Sequence, residues 1–181
     1  MKLNTLHLTL LSSLFCSASA FADVTVNGGT VHFTGELVNA ACAVSTTSTN
    51  LTVDLGQYRT GSLATVGNKT TPVPFSIQLV DCDPTVQGTA SVAFYGQTDG
   101  TNPNLLSVSA GGTNANAAGN VGIEVVDDQS RVLAFAGGDF SNAKSLMQGT
   151  NELKFTARYV ATGAATPGVA NADATFVVHY E

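Results

Sequence analysis

Histidine, cysteine and carboxylate side chains are the groups in this sequence that could do chemistry, and their placement does not favour catalysis. His32 and His179 stand at polar positions of alternating stretches, without a cysteine or carboxylate at metal-ligand spacing. Asp127 and Asp128 are adjacent in a turn-forming run, where carboxylates are usually solvated. The sequence contains no H-E-x-x-H, G-x-S-x-G, G-x-G-x-x-G or P-loop motif. We therefore predict no enzymatic activity, no metal and no cofactor.

The first residues have the pattern of a secretory signal peptide. Lys2 precedes a short apolar stretch at 6–15, and small residues follow it. The triplet at 20–22 fits an A-x-A cleavage site and predicts a signal peptide over 1–22, with cleavage after Ala20 as the alternative to cleavage after Ala22. The mature chain then has 159 residues (181 − 22), which is enough for one domain.

Two cysteines remain after this cleavage, because Cys16 lies in the signal peptide. Export to an oxidising compartment favours a disulfide between Cys42 and Cys82 over a free reactive thiol. Closing a loop of about 40 residues stabilises a chain by roughly 4 kcal/mol in the chain-entropy model.

The charge balance excludes several classes of partner. The chain has 7 basic and 13 acidic residues, a formal charge of −6, whereas nucleic acids and anionic membranes require clustered Lys and Arg. The mature part has no apolar run long enough to span a bilayer. We predict a secreted domain that does not bind nucleic acid and does not insert into a membrane.

Apolar and polar residues alternate along most of the mature chain, which predicts an all-β domain. The predicted strands cover 31–37, 73–79, 121–125, 131–135, 153–159 and 176–180, with shorter ones at 51–55, 91–95 and 105–108. Residues 127–130 read as a hairpin turn, and clusters of Gly, Asn, Thr and Ala predict loops at 96–104, 111–120 and 162–173. An antiparallel sandwich or barrel is expected, because no segment of helical length and periodicity connects the strands.

Three stretches carry a resemblance to a known family. They are the opening V-T-V-N-G-G-T-V-H-F at 24–33, the run G-E-L-V-N-A-A-C at 35–42, and the ending A-T-G-A-A-T-P-G at 161–168 with A-D-A-T-F at 172–176. With a penultimate Tyr180, they make the chain similar to chaperone–usher pilins, and among these to the major rod subunits of type 1 fimbriae. The resemblance covers essentially all of the mature chain and is vaguer between 96 and 149.

The resemblance implies an incomplete immunoglobulin-like β-sandwich of six strands, whose seventh strand is supplied in trans by donor-strand complementation. Residues 23–40 would be an N-terminal donor-strand extension and 41–181 the pilin domain. A periplasmic chaperone would fill the groove first, and at an outer-membrane usher the extension of a neighbouring copy would replace it. The chain would be exported through the periplasm to an extracellular fimbrium of a Gram-negative cell.

The resemblance also implies roles for individual residues. The donor face would be Val31, Phe33, Gly35 and Leu37, with Gly35 in a notch that leaves no room for a side chain. The residues implied for the C-terminal strand, beside which the chaperone adds its own strand, are Gly168, Phe176, Val178 and Tyr180.

Alternative interpretations stay open at this point. Residues 31–37 could form the first strand of their own domain, with Gly35 at a bulge. The chain could be a minor adaptor or adhesive subunit of the same organelle. It could also be a freestanding secreted β-sandwich that binds a ligand, although the absence of Trp disfavours stacking on sugars.

Overall fold

The chain divides into two units, Met1–Glu36 and Leu37–Glu181. The computed structural model describes residues 24–37, 39–112 and 115–181. In the first unit, residues 24–36 form no helix or strand and are exposed to solvent. The signal peptide predicted over 1–22 lies outside the described residues. The second unit, 37–181, is called the body below.

In the described residues of the body, 39–112 and 115–181 with Leu37, there are nine strands and two single helical turns. The strands are β1 (Ala43–Val44), β2 (Val73–Cys82), β3 (Thr89–Gly96), β4 (Leu106–Ser107), β5 (Gly119–Asp127), β6 (Val132–Leu133), β7 (Lys144–Ser145), β8 (Gly149–Thr166) and β9 (Ala174–Tyr180). The helical turns are α1 (Thr46–Thr49) and a 3₁₀ turn (Thr60–Leu63). Five strands are long, and the other four have two residues each.

The strands form two antiparallel sheets, which confirms the predicted all-β class. The larger sheet has the order β1-β2-β8-β5-β4, with β6 also paired to β5. The smaller sheet has the order β7-β3-β9. β8 is central because it pairs with β2 on one side and β5 on the other.

The core lies between the inner faces of the two sheets, where the alternating apolar residues meet. Phe155 of β8 stacks on Phe75 of β2, with ring centroids 5.5 Å apart. The ring of Phe94, from β3 in the smaller sheet, meets Phe155 edge-on at 5.3 Å. Such aromatic pairs stabilise beyond the area they bury, so this cluster joins the sheets at their centre.

A tight hairpin connects β5 to β6, as the sequence at 127–130 predicts. Asp127 accepts hydrogen bonds through Oδ1 from the backbone N–H groups of Gln129 (3.0 Å) and Arg131 (2.8 Å). Ser130 adopts a positive φ of 69°, which the turn requires. The following strand is shorter than predicted, since only Val132 and Leu133 of 131–135 are paired as β6.

Three local predictions are wrong. Residues 31–37 form no strand in the described part of the chain. Residues 51–55 are not a strand, although Val53 and Leu55 do pack against the core. Their alternation therefore reports burial of side chains and not a hydrogen-bonded ladder. Conversely, the loop predicted over 162–173 begins late, because β8 continues to Thr166 by pairing with the start of β5. Tertiary pairing overrides the loop-like composition there.

Candidate functional site

The last strand, β9, lies at an edge of the smaller sheet, because among the described residues it pairs only with β3. Its register places Phe176, Val178 and Tyr180 opposite Phe94, Val92 and Ala90. Side chains alternate between faces, so these three point to the core while Val177 and His179 point outward. The other edge of β9 leaves backbone groups available to a further strand.

The inward residues of β9 are much less covered than their partners on β3. Ala90, Val92 and Phe94 are at most 5% exposed, whereas Phe176, Val178 and Tyr180 are only half-buried. Both sets face the same core cluster. The core is therefore closed over β3 and open over β9.

A second set of half-buried apolar residues comes from the start of the body. Val44, Val53 and Leu55 pack against the same core cluster and remain partly exposed. We call these three residues and Phe176, Val178 and Tyr180 the half-buried row. Sequence reasoning placed the β9 members of this row and missed the others, although the alternation at 51–55 was the signal that could have found Val53 and Leu55.

Tyr180 links the two parts of the half-buried row at one end. Its Oη donates a hydrogen bond to the backbone oxygen of Cys42 (3.2 Å). Burial raises the pKa of the Tyr180 phenol, so it stays a neutral donor. Cys42 is bonded to Cys82, which confirms the predicted disulfide and fixes the beginning of the body to the end of β2.

The residues predicted as a donor face lie in an exposed segment. Val31, Phe33 and Leu37 are 73%, 92% and 102% exposed. A Cβ at Gly35 would meet nothing within 4 Å, so the described chain gives no steric reason for a glycine there. Three apolar side chains this exposed within seven residues are unusual for a soluble chain and typical of an interaction segment.

Gly168 lies in the connection between β8 and β9, six residues before β9 begins. A Cβ at this position would lie 2.4 Å from both the carbonyl carbon of Ala117 and the nitrogen of Ala118. The adjacent residue, Val169, forms a parallel bridge with Ala117. Gly168 is therefore required for a close approach of two backbones and does not line β9 itself.

The histidines and carboxylates do not converge on a catalytic arrangement. His179 is exposed, contacts the ring of Phe140 and lies 3.6 Å from Glu181. Across residues 24–37, 39–112 and 115–181, no three His, Cys, Asp or Glu side chains are grouped so that they could hold a metal ion. Within the same residues, no helix is both long and apolar enough to cross a bilayer.

Comparison with known proteins gives consistent matches. The fimbrial protein family matches residues 31–181. A type 1 fimbrial subunit of Salmonella typhimurium is 57% identical, with 96% of each chain covered. The A chain of the type-1 fimbrial protein of Escherichia coli K12 is 50% identical over the full length of both chains.

Solved structures agree with these sequence matches. A chain from a chaperone–usher pilus has a TM-score of 0.72 and 28% identity, covering 88% of this chain and 99% of its own. The P pilus rod subunit PapA has a TM-score of 0.64 and 28% identity, covering 78% of this chain and all of its own. The sandwich is thus the immunoglobulin-like fold of these pilins. The family match over residues 31–181 shows that the chain belongs to the fimbrial protein family.

Proposed function

We propose that this chain polymerises into the rod of a surface fimbria by donor-strand exchange, with residues 31–37 of one copy covering the half-buried row of the next. Its family makes it a structural subunit of an extracellular fimbria and not an enzyme. The observation that carries the proposal is the contrast in burial between β3 and β9. The core-facing side chains of β3 are covered and those of β9 are half-exposed, so a further strand beside β9 would complete the burial.

The donor segment and the half-buried row are complementary in chemistry. Val31, Phe33, Gly35 and Leu37 fall at every second position, so in an extended strand the three apolar side chains face one side together. Burying them contributes about 5–9 kcal/mol in total. The free edge of β9 offers a ladder of backbone hydrogen bonds to the same strand. Gly35 would stand where the neighbouring copy leaves no space.

We also propose the route by which the chain reaches the fibre. Residues 1–22 are removed on export, 23–40 form the donor extension, and 41–181 form the incomplete domain. A periplasmic chaperone adds a strand beside β9 and covers Phe176, Val178 and Tyr180 until an outer-membrane usher brings in the next copy. Covering the row before assembly keeps exposed apolar surface from aggregating.

A deletion with peptide complementation tests this function. We expect the mature chain lacking 23–37 to form no fibres by electron microscopy and to be unstable alone. A synthetic peptide of residues 24–37 should bind it and raise its melting temperature as the peptide concentration rises. Mass action gives about 2.7 kcal/mol of stabilisation at a peptide concentration of 100 Kd.

Two altered peptides provide the controls. Replacing Gly35 with Ile should abolish the stabilisation, because the side chain would enter the notch. Replacing His32 with Ser changes a residue of the opposite face and should leave it intact. A deleted chain that unfolds cooperatively at high temperature without peptide, and gains nothing from it, would favour a freestanding β-sandwich instead.

A further inference from the structure

Asn27 stands directly before a glycine in the exposed segment ahead of the body. It is the only asparagine of the sequence that does so. Asn27 and Gly28 are both exposed, and the Asn27 Oδ1 accepts a hydrogen bond from the backbone N–H of Gly29 (3.2 Å). We propose that Asn27–Gly28 is a site of spontaneous deamidation. This inference does not rest on the proposed function.

The chemistry requires only the chain and water. The backbone nitrogen of Gly28 bonds to Cγ of Asn27, the Cγ–Nδ2 bond breaks, and ammonia leaves with the proton of the Gly28 amide. The product is a five-membered succinimide. Water then opens the ring at either carbonyl and gives aspartate or isoaspartate. One water is consumed and one ammonia released, with no change of oxidation state.

The local structure leaves this ring closure unhindered. Gly28 has no Cβ, and the space that one would occupy is empty to 4 Å. No hydrogen bond between described residues engages the Gly28 N–H. The bond from Gly29 N–H withdraws electron density from the Asn27 side-chain carbonyl, which makes Cγ a better electrophile.

Three asparagines of the body are held differently. The side-chain amides of Asn120, Asn142 and Asn151 donate to Ala164 O, Asp127 Oδ2 and Met147 O. Each of these asparagines precedes a residue with a side chain. Their amide groups are held by hydrogen bonds and are followed by larger residues than glycine, so we expect conversion to concentrate at Asn27.

Ageing of the purified mature chain in mildly alkaline buffer tests the site. Peptide mass mapping and methylation by an isoaspartate-specific methyltransferase should locate isoaspartate at residue 27. Isoelectric focusing should show an acidic species with one extra negative charge. Gly28→Ala should slow the conversion by roughly an order of magnitude, because a Cβ restricts the backbone rotation that ring closure needs.

Asn50 supplies the matched comparison, since it is exposed and precedes Leu51. Asn27→Gln should remove the acidic species, and Asn50→Gln should leave its formation unchanged. The proposal is overturned if isoaspartate is absent from residue 27, if it is equally abundant at residues 27 and 50, or if Gly28→Ala converts at the original rate.

Discussion

Asp127 organises the connection between β5 and the segment that follows it. It is 5% exposed, and while its Oδ1 holds the hairpin, its Oδ2 accepts from the backbone N–H (2.9 Å) and side-chain amide (2.8 Å) of Asn142. Burial on its own would raise the pKa of this carboxyl. The hydrogen bonds from Asn142, Arg131 and Gln129 outweigh burial and hold the pKa below its ordinary value.

Because its hydrogen bonds favour the charged form of Asp127, we expect the body to lose stability in acid. Stability from Asp127 is complete above the unfolded-state pKa of about 4 and is lost as the pH falls through the lower folded-state pKa. We expect Asp127→Asn to lower the free energy of unfolding at neutral pH by about 1.5–3 kcal/mol, since an amide cannot accept all four bonds. The acid limb of the stability–pH curve should become shallower.

Urea denaturation at a series of pH values measures both effects. Asp128→Asn is the matched control, because Asp128 is adjacent and exposed. If both substitutions flatten the curve equally, the hydrogen bonds of Asp127 are not the cause.

We expect any side chain at position 168 to carry a steric penalty. Gly168→Ala places a methyl group against the backbone at 117–118, and neither backbone can yield without breaking the Ala117–Val169 bridge. We expect a loss of about 1–3 kcal/mol in the free energy of unfolding. Gly61→Ala should be neutral or stabilising, as its Cβ would meet nothing within 4 Å. A thermal-unfolding comparison in which both variants behave alike would contradict this interpretation.

Among the strands, β9 offers a paired test because neighbouring residues point to opposite faces. Val178 belongs to the half-buried row, whereas Val177 is 42% exposed on the outer face. We expect Val178→Asn to weaken the binding of the 24–37 peptide by about 5- to 150-fold, since a polar side chain would be buried by the donor strand at a cost of about 1–3 kcal/mol.

Val177→Asn should leave peptide affinity nearly unchanged. Circular dichroism of both variants verifies that the body is folded, and fluorescence titration with a labelled peptide measures the affinity. Equal losses for the two variants would mean that peptide binding does not use the inner face of β9.

The strands show what periodicity can and cannot predict. β2, the paired part of β8, and β9 follow from strict alternation, because one face is buried and the other is not. Val53 and Leu55 alternate equally well but lack a ladder partner in the described chain, so the same signal gave a wrong strand. The extension of β8 to Thr166 depends on contacts with Gly119 and Asn120, which local sequence does not encode.

The candidate site was predictable in part. β9 was located through the resemblance and its apolar positions, and the disulfide followed from export and cysteine count. The difference in burial between β3 and β9 could not be predicted, since both strands have similar apolar patterns. Only the arrangement of two sheets determines which one is covered.

For the body as a whole, we expect the disulfide to contribute a large share of the free energy of unfolding. Replacing both Cys42 and Cys82 with serine should lower the free energy of unfolding by about 4 kcal/mol, because it frees a 40-residue loop in the unfolded state. Guanidinium denaturation of the peptide-bound protein measures the change. A serine variant within about 1 kcal/mol of the original would show that other contacts, including Tyr180 to Cys42, suffice to hold the start of the body.

The meeting of Tyr180 and Cys42 has a mechanical consequence. In a fibre built as proposed, tension enters each subunit through the chain just before Cys42 and leaves through the strand beside β9. Because the Tyr180 hydroxyl donates a hydrogen bond to the Cys42 carbonyl, these two points are neighbours. The point at Cys42 is also bonded covalently to Cys82. A stretched filament would thus transmit force between two neighbouring points at one corner of each subunit, next to the disulfide that joins the start of the body to β2.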